Sequence, residues 1–295
     1  MESVPAVFID SVLCVATPLT LHGAEKLRSR SWSRLARHHH TQRRSWRLCV
    51  VQEKDALLGL FRCSSAKAKE FLSLREFART DARFDQIAEI EIELEENLVW
   101  EEDVEAAEWT SIASKEDVEA LKHRFFWRIN YRSLDWLNLN IVDALGLHST
   151  ILNHLVDKSP RIEILELAYE GPASTALLER QVKKNVITEL TISGQWPPET
   201  TTPIVEAILP QRQLYYFVAE SRILLSSGDL ASLLEQWSQD DSPRKAKEVV
   251  IRSGDLHMEK YEKVLDHTKA DAKVTTKMEG TSFTLDFSSV NCPLL

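Results

Sequence analysis

The stretch Ile162–Asn185 reads IEILELAYEGPASTALLERQVKKN, and the rest of the chain is organised around units like it. It opens with apolar residues at Ile162, Leu165 and Leu167, an L-x-x-L-x-L spacing. A polar turn follows at Glu170, Gly171 and Pro172, then a helical run with Ala173, Ala176, Leu177 and Leu178. One strand and one returning helix of this size cannot bury their own apolar faces. Neighbours of the same kind must cover them.

The spacing recurs. Leu134-x-x-Leu137-x-Leu139 precedes it, and Ile187-x-x-Leu190-x-Ile192, Leu214-x-x-Phe217-x-Ala219 and Ala246-x-x-Val249-x-Ile251 follow. The starts step by 28, 25, 27 and 32 residues, at the upper end of leucine-rich-repeat periods. An earlier copy, Ile87-x-x-Ile90-x-Ile92, lies 47 residues upstream, across a larger insertion. Helical stripes follow the strands at Ile151, Leu152, Leu155 and Val156, and at Ile204, Val205, Ile208 and Leu209. Two more are expected, at Leu230, Leu233, Leu234 and Trp237 and at Met258, Tyr261, Val264 and Leu265. Strand–helix alternation with right-handed crossovers predicts an α/β fold with a curved parallel sheet, an irregular leucine-rich-repeat-like solenoid. The ladder position after each strand holds Val142, Glu170, Gln195 and Arg222 rather than asparagine, a departure from standard repeats. Lys273–Met278 and Thr281–Phe287 alternate around Glu279-Gly280 and read as a hairpin closing the last edge.

The totals narrow the function classes. The chain has 295 residues, 43% of them hydrophobic, and a formal net charge of −9, which gives a general nucleic-acid role no electrostatic footprint. Eight glycines leave little room for phosphate-cradling loops. Cys14, Cys49, Cys63 and Cys292 contain no C-x-x-C pair and read as reduced thiols of a cytoplasmic or nuclear protein. Glu2, Asp10, Pro5 and Pro18 interrupt the apolar N-terminus, so neither a signal peptide nor a membrane span is expected. No catalytic constellation, cofactor motif or metal site emerges.

Residues 1–45 follow a different grammar. Ser3 reads as a cap for a helix with Pro5 in its first turn, and Phe8, Ile9, Val12 and Leu13 share a face. Thr17-Pro18 should end that helix. Leu19, Leu21 and Leu27 suggest a second helix, and Trp32 and Leu35 a third, running into the basic stretch Arg34–Arg44. Within it His38, His39 and His40 read as solvated surface, since consecutive histidines point in different directions.

Val4-Pro5-x-x-Phe8-Ile9-x-x-Val12-Leu13, with Leu19 next and Trp32 near the end, resembles an F-box. The opening M-E-S-V-P-x-x-F-I-D-S-V is similar to a group of nematode F-box-like proteins. That resemblance implies that Val4, Pro5, Phe8, Ile9, Val12, Leu13, Leu19, Leu27 and Trp32 contact the Skp-type adaptor of a cullin–RING ubiquitin ligase. The chain would then be a non-catalytic substrate receptor, its repeats holding an unknown protein target. A repeat scaffold with the helices as an end cap is the alternative.

Between the two parts, residues 46–86 read as a connector. Trp46–Val51 and Leu57–Phe61 form a hairpin, and Lys67–Arg79 an amphipathic helix. The array then occupies 87–295. Ile87–Leu94 alternates apolar and acidic residues and predicts a strand with Glu89, Glu91 and Glu93 on a wet face. The acidic residues 95–119 read as a solvated helix, with a capping box at Ser114 and Asp117 and a buried stripe of Val118, Leu121 and Phe125. On the repeat strands, Asn138, Asn140, Glu166, Thr191, Glu220 and Arg252 alternate with the apolar positions and are the candidate target-binding residues.

Overall fold

The structure is a computed structural model, described over residues 4–53, 56–64, 70–94, 108–220, 235, 247–252, 264–266, 272–279 and 282–289. The fold is mixed α/β, and the chain divides into two compact units, Met1–Arg161 and Ile162–Leu295.

The first unit begins with three helices, α1 (Ala6–Cys14), α2 (Pro18–Glu25) and α3 (Arg30–Gln42). Thr17 caps α2 through its side chain and Pro18 occupies the first helical position, so the expected break after α1 stands. Pro5 is the N-cap of α1 rather than a first-turn residue, and the proposed Ser3 cap lies outside the described residues. Strands β1 (Arg44–Glu53) and β2 (Ala56–Cys63) form the expected antiparallel hairpin. β4 (Asp85–Leu94) pairs parallel with β1, and β6 (Trp136–Leu139) parallel with β4.

Two connecting segments differ from expectation. The helix expected over Lys67–Arg79 is one turn, α4 (Leu74–Phe77), preceded by a short strand β3 (Phe71–Ser73) on β2. Ser73 and Glu76 make a full capping box that starts the helix there, leaving Phe71 extended. In the acidic segment, Thr110–Ile112 is strand β5 on β2 rather than helix, while 95–107 lie outside the described residues. The predicted box at Ser114 and Asp117 does open α5 (Lys115–Phe125), with Val118, Leu121 and Phe125 buried. Its end packs into an aromatic cluster: Phe61 stacks on Phe77 at 3.7 Å, and Phe125 meets Phe61 edge-on at 5.2 Å. Arg128 lies 3.9 Å above the Phe77 ring and donates to the Phe77 and Asp85 carbonyls and to Thr80 Oγ1. A buried cation is held there by carbonyl dipoles and a π face. Helix α6 (Leu147–Lys158) follows β6 and buries Ile151, Leu152 and Leu155.

The wet face expected for β4 is covered. Arg47 reaches across from β1 to Glu89 at 2.6 Å and Glu91 at 3.2 Å, and its guanidinium lies 3.8 Å from the Trp136 ring centre on β6. Glu93 accepts from the Asn138 and Asn140 amides, each at 3.3 Å. Alternation placed the carboxylates on one face correctly, but partners from both neighbouring strands take the place of water.

In the second unit the quoted stretch becomes β7 (Ile164–Ala168) and α7 (Pro172–Lys184). Pro172 sits at the first helical position, and Asn185 ends the helix in the left-handed region at φ 57°. Gly171, in the turn read from the sequence, and Gly194 hold positive φ of 132° and 85°, which suits glycine. Strands β8 (Glu189–Ser193), β9 (Tyr216–Ala219) and β10 (Lys247–Arg252) continue the parallel series. Their register aligns Leu165, Leu190, Phe217 and Val249 in one buried row and Leu167, Ile192, Ala219 and Ile251 in the next. These are the repeating apolar positions of the sequence. Burying each such side chain contributes roughly 1.5–3 kcal/mol. Helix α8 (Pro198–Ile208) carries the expected stripe of Ile204, Val205 and Ile208.

The C-terminal part holds the expected closing hairpin and corrects the last helical stripe. Val264 and Leu265 belong to a strand, β11 (Val264–Asp266), not to a helix. The expected hairpin is β12 (Ala272–Glu279) with β13 (Ser282–Ser289), and β13 pairs antiparallel with β10. The helical stripe expected over Leu230–Trp237 lies outside the described residues, apart from the helical Glu235.

Replacing Arg47 by Met should destabilise the chain by roughly 2–4 kcal/mol, because Glu89 and Glu91 lose their cation within the sheet. Urea unfolding should show the midpoint falling at unchanged slope. The double replacement Arg47→Met with Glu89→Gln should recover part of that loss.

Candidate functional site

The three N-terminal helices have a small core of their own: Ile9, Leu13, Ala16, Leu21, Ala24 and Ala36, with Val4, Trp32 and Leu35 packed against it. The face expected to meet a partner therefore splits. Ile9 and Leu13, four residues apart, point inward against α2 and α3 and are not available at the surface. Phe8 and Val12 lie one step around the helix and are exposed. Pro5 is exposed, Leu27 lies at the surface, and Val4 and Trp32 are half-buried. Leu19 is 81% exposed.

Sequence reasoning missed Val7, 78% exposed, and Val15, which also stands out from the surface. The signal was present as an excess: α1 carries more large apolar residues than one face of a nine-residue helix can bury. Phe8, Val12 and Val15 follow one another at helical spacing along α1 and its C-cap as a stripe of exposed side chains, and Leu19 is exposed separately at the start of α2.

The basic stretch is the expected solvated surface only in part: Arg34, Arg37, His38 and His40 are exposed, but other members are tied down. His39 is fully buried, its Nε2 2.8 Å from Asp10 Oδ1, which ties α3 to α1. His40 Nδ1 contacts Glu25 Oε1 of α2. Arg43 donates to the carbonyls of Leu13 (2.6 Å), Cys14 (3.1 Å) and Ala16, satisfying the open carbonyl end of α1. Arg44 pairs with Asp85 at 2.7 Å and Glu70 at 3.0 Å, and the Trp46 indole donates to the same Asp85 oxygen at 2.8 Å. The carboxylate partners come from distant parts of the chain, so local spacing could not reveal them.

The strand-face candidates fare unevenly. Asn138 is buried and donates to Glu93, so it is an internal bond of the sheet rather than a free contact residue; Asn140, half-buried, donates to the same carboxylate. In the second unit Glu166 and Thr191 are partners in the β7–β8 register and both half-buried, while Glu220 is exposed just beyond β9. Arg252 ends β10, and its side chain is outside the described residues.

A pocket of about 540 Å³ lies in the first unit between the end of α1 and the residues that lead into β4 and β6. Cys14, Val15, Arg83, Gln86, Trp127 and Tyr131 help line it. It sits at the N-terminal ends of the parallel strands, whereas α/β enzymes bind substrates beyond the C-terminal ends. Tyr131 donates to the Phe126 carbonyl at 2.9 Å and lies 2.6 Å from His154 Nε2. Burial pushes the Tyr131 phenol up to about 12 and lowers the His154 imidazole, with Lys158 and Lys122 adding to the latter. Cys49 is buried on β1, and burial raises its thiol far out of the nucleophilic range. Among the described residues, no helix is long and apolar enough to cross a membrane.

Comparison with protein-family models, curated proteins and solved structures finds no match to this chain.

Two measurements check this geometry. Ile9→Ala should cost roughly 2–4 kcal/mol of stability as a core truncation, whereas Phe8→Ala should change it by under about 1 kcal/mol. The second concerns pH. Because the folded state lowers the affinity of His154 for a proton, the unfolded chain binds more protons below its ordinary value near 6.5. Stability is therefore complete above that value and falls as the solution is acidified. His154→Phe should flatten the acid side of a urea-stability profile between about pH 7 and pH 5.

Proposed function

We propose that the chain is a non-catalytic protein-interaction subunit, an F-box-type substrate receptor of the nematode F-box-like kind. Its helices α1–α3 would dock on the Skp-type adaptor of a cullin–RING ubiquitin ligase. Its β/α units, read as an irregular leucine-rich-repeat-like array, would hold a protein target. One observation carries this reading: the exposed Phe8, Val12 and Val15 on α1 and its C-cap, with Val7 and the exposed Leu19 of α2, on a helical segment that has a core of its own. Surface of that kind is stabilised when a partner covers it. The buried Ile9 and Leu13 and the half-buried Trp32 then act from beneath, by holding those side chains in place.

A second reading has an observation of its own. Gln86 Nε2 donates to the Cys14 carbonyl at 2.6 Å, and the rings of His38 and His39 pack on Phe84 at 5.1 and 5.2 Å. Contacts of this kind suit helices that serve as a cap on the sheet of the first unit, in a scaffold with no ligase link.

Co-purification with the Skp adaptor separates the two. Phe8→Ala should weaken adaptor binding by about 2 kcal/mol, and Leu19→Asp should abolish it while the fold persists. Adaptor binding that survives deletion of residues 1–45 ends the F-box reading. The cap reading expects no adaptor capture and a lower unfolding midpoint for the truncated chain.

A further inference from the structure

The helix hairpin α2–α3 brings together three side chains that neither the core nor the exposed stripe uses: His22, Glu25 and His40. His22 and Glu25 stand three residues apart on α2 and so project on the same side. His40 comes from the last turn of α3. One ligand atom from each lies within 4.8 Å of the other two. His40 Nδ1 already touches Glu25 Oε1, and the two imidazole rings stand almost perpendicular, their centroids 6.2 Å apart. Two imidazoles bound to one ion place their centroids roughly 5–6 Å apart, so small rotamer changes suffice.

The backbone beneath these groups is fixed. Leu21, Ala24 and Ala36 are buried on the inner sides of the two helices, and Ser33 Oγ donates to the Glu25 carbonyl at 2.7 Å across the hairpin. Ligands carried on packed helices keep their separation better than ligands on loops. The outer sides of His22 and His40 are exposed, which leaves room for solvent to complete a coordination shell.

A second cluster of Asp10, Cys14 and His39 also has ligand atoms within reach of one another, but its surroundings oppose a cation. Arg83 lies 3.9 Å from Asp10, and the Arg43 guanidinium sits on the carbonyls of Leu13 and Cys14. His39 is buried and engaged with Asp10 through its Nε2. At the other cluster, Glu25 makes its ion pair with His40 among the described residues.

The geometry points to a divalent metal site at His22, Glu25 and His40, with two imidazole nitrogens and one carboxylate oxygen as ligands. This donor set, with an open fourth position for water, suits zinc among the available divalent ions. Calcium and magnesium, which require oxygen ligands, do not fit it. The ion would clip α2 to α3 in a segment whose own core is small, so binding and helix packing would be linked. The inference is independent of the adaptor reading.

The test uses the tag-free full chain, stripped of metal with a chelator and titrated with zinc chloride by calorimetry, with cobalt as a visible-absorption probe. The expected result is one saturable equivalent of zinc, a cobalt band in the visible range, and a raised thermal midpoint for the loaded chain. His22→Gln and His40→Gln should each weaken zinc binding at least about tenfold at unchanged circular dichroism, and Cys14→Ser should leave it as it was. Absence of saturable binding overturns the proposal. So does zinc uptake that is indifferent to both histidine replacements, or uptake lost in Cys14→Ser, which would move the metal to the neighbouring cluster.

Discussion

A strand with neighbours on both sides cannot keep three carboxylates on one face unless something answers their charge. β4 is in that position, with β1 on one side and β6 on the other. Arg47, Asn138 of β6 and Asn140 just beyond it supply the answer, and Trp136 lies over the guanidinium. Desolvating a carboxylate without a partner costs several kcal/mol, more than a typical strand pair contributes. The parallel arrangement of β1, β4 and β6 therefore depends on a few polar contacts as much as on Ile90, Ile92, Leu137 and Leu139 beneath them. The same contacts take Asn138 out of the surface and into the structure.

The N-terminal helices obey the complementary rule. Polar side chains fasten them: His39 to Asp10, Arg43 to the end of α1, and Gln86 of β4 to the Cys14 carbonyl. With those bonds made, a handful of small and medium apolar residues completes the core. The remaining large apolar side chains of α1 have nowhere to go but outward. An exposed stripe is thus a consequence of how cheaply this segment closes.

Legibility followed the range of the physics. The apolar spacing of the repeats announced β4 and β6 through β10, because burial of alternate positions is a local pattern written in consecutive residues. The boxes at Ser114–Asp117 and the stop at Thr17-Pro18 were readable for the same reason. What failed was long-range. Nothing near Phe71 states that it will pair with Arg62, and nothing near Val264 states that it will pair with Thr275. For the candidate site, the sequence identified the segment but not the partition between Ile9 and Phe8, which depends on where α2 and α3 lie. His40 and Glu25 are 15 residues apart, and only the turn between the helices makes them neighbours.

The uneven spacing of the parallel strands has a simple thermodynamic reading in loop closure. Ile164 and Glu189 pair across 25 residues of chain, whereas Glu89 and Trp136 pair across 47. The entropy of closing a loop grows only logarithmically, so nearly doubling its length costs roughly 0.6 kcal/mol. A single well-buried leucine outweighs that several times over. Inserted material between strands is therefore nearly neutral for the sheet, while a change at one alternating apolar position is not. A chain built this way can carry connections of unequal length and keep one strand register.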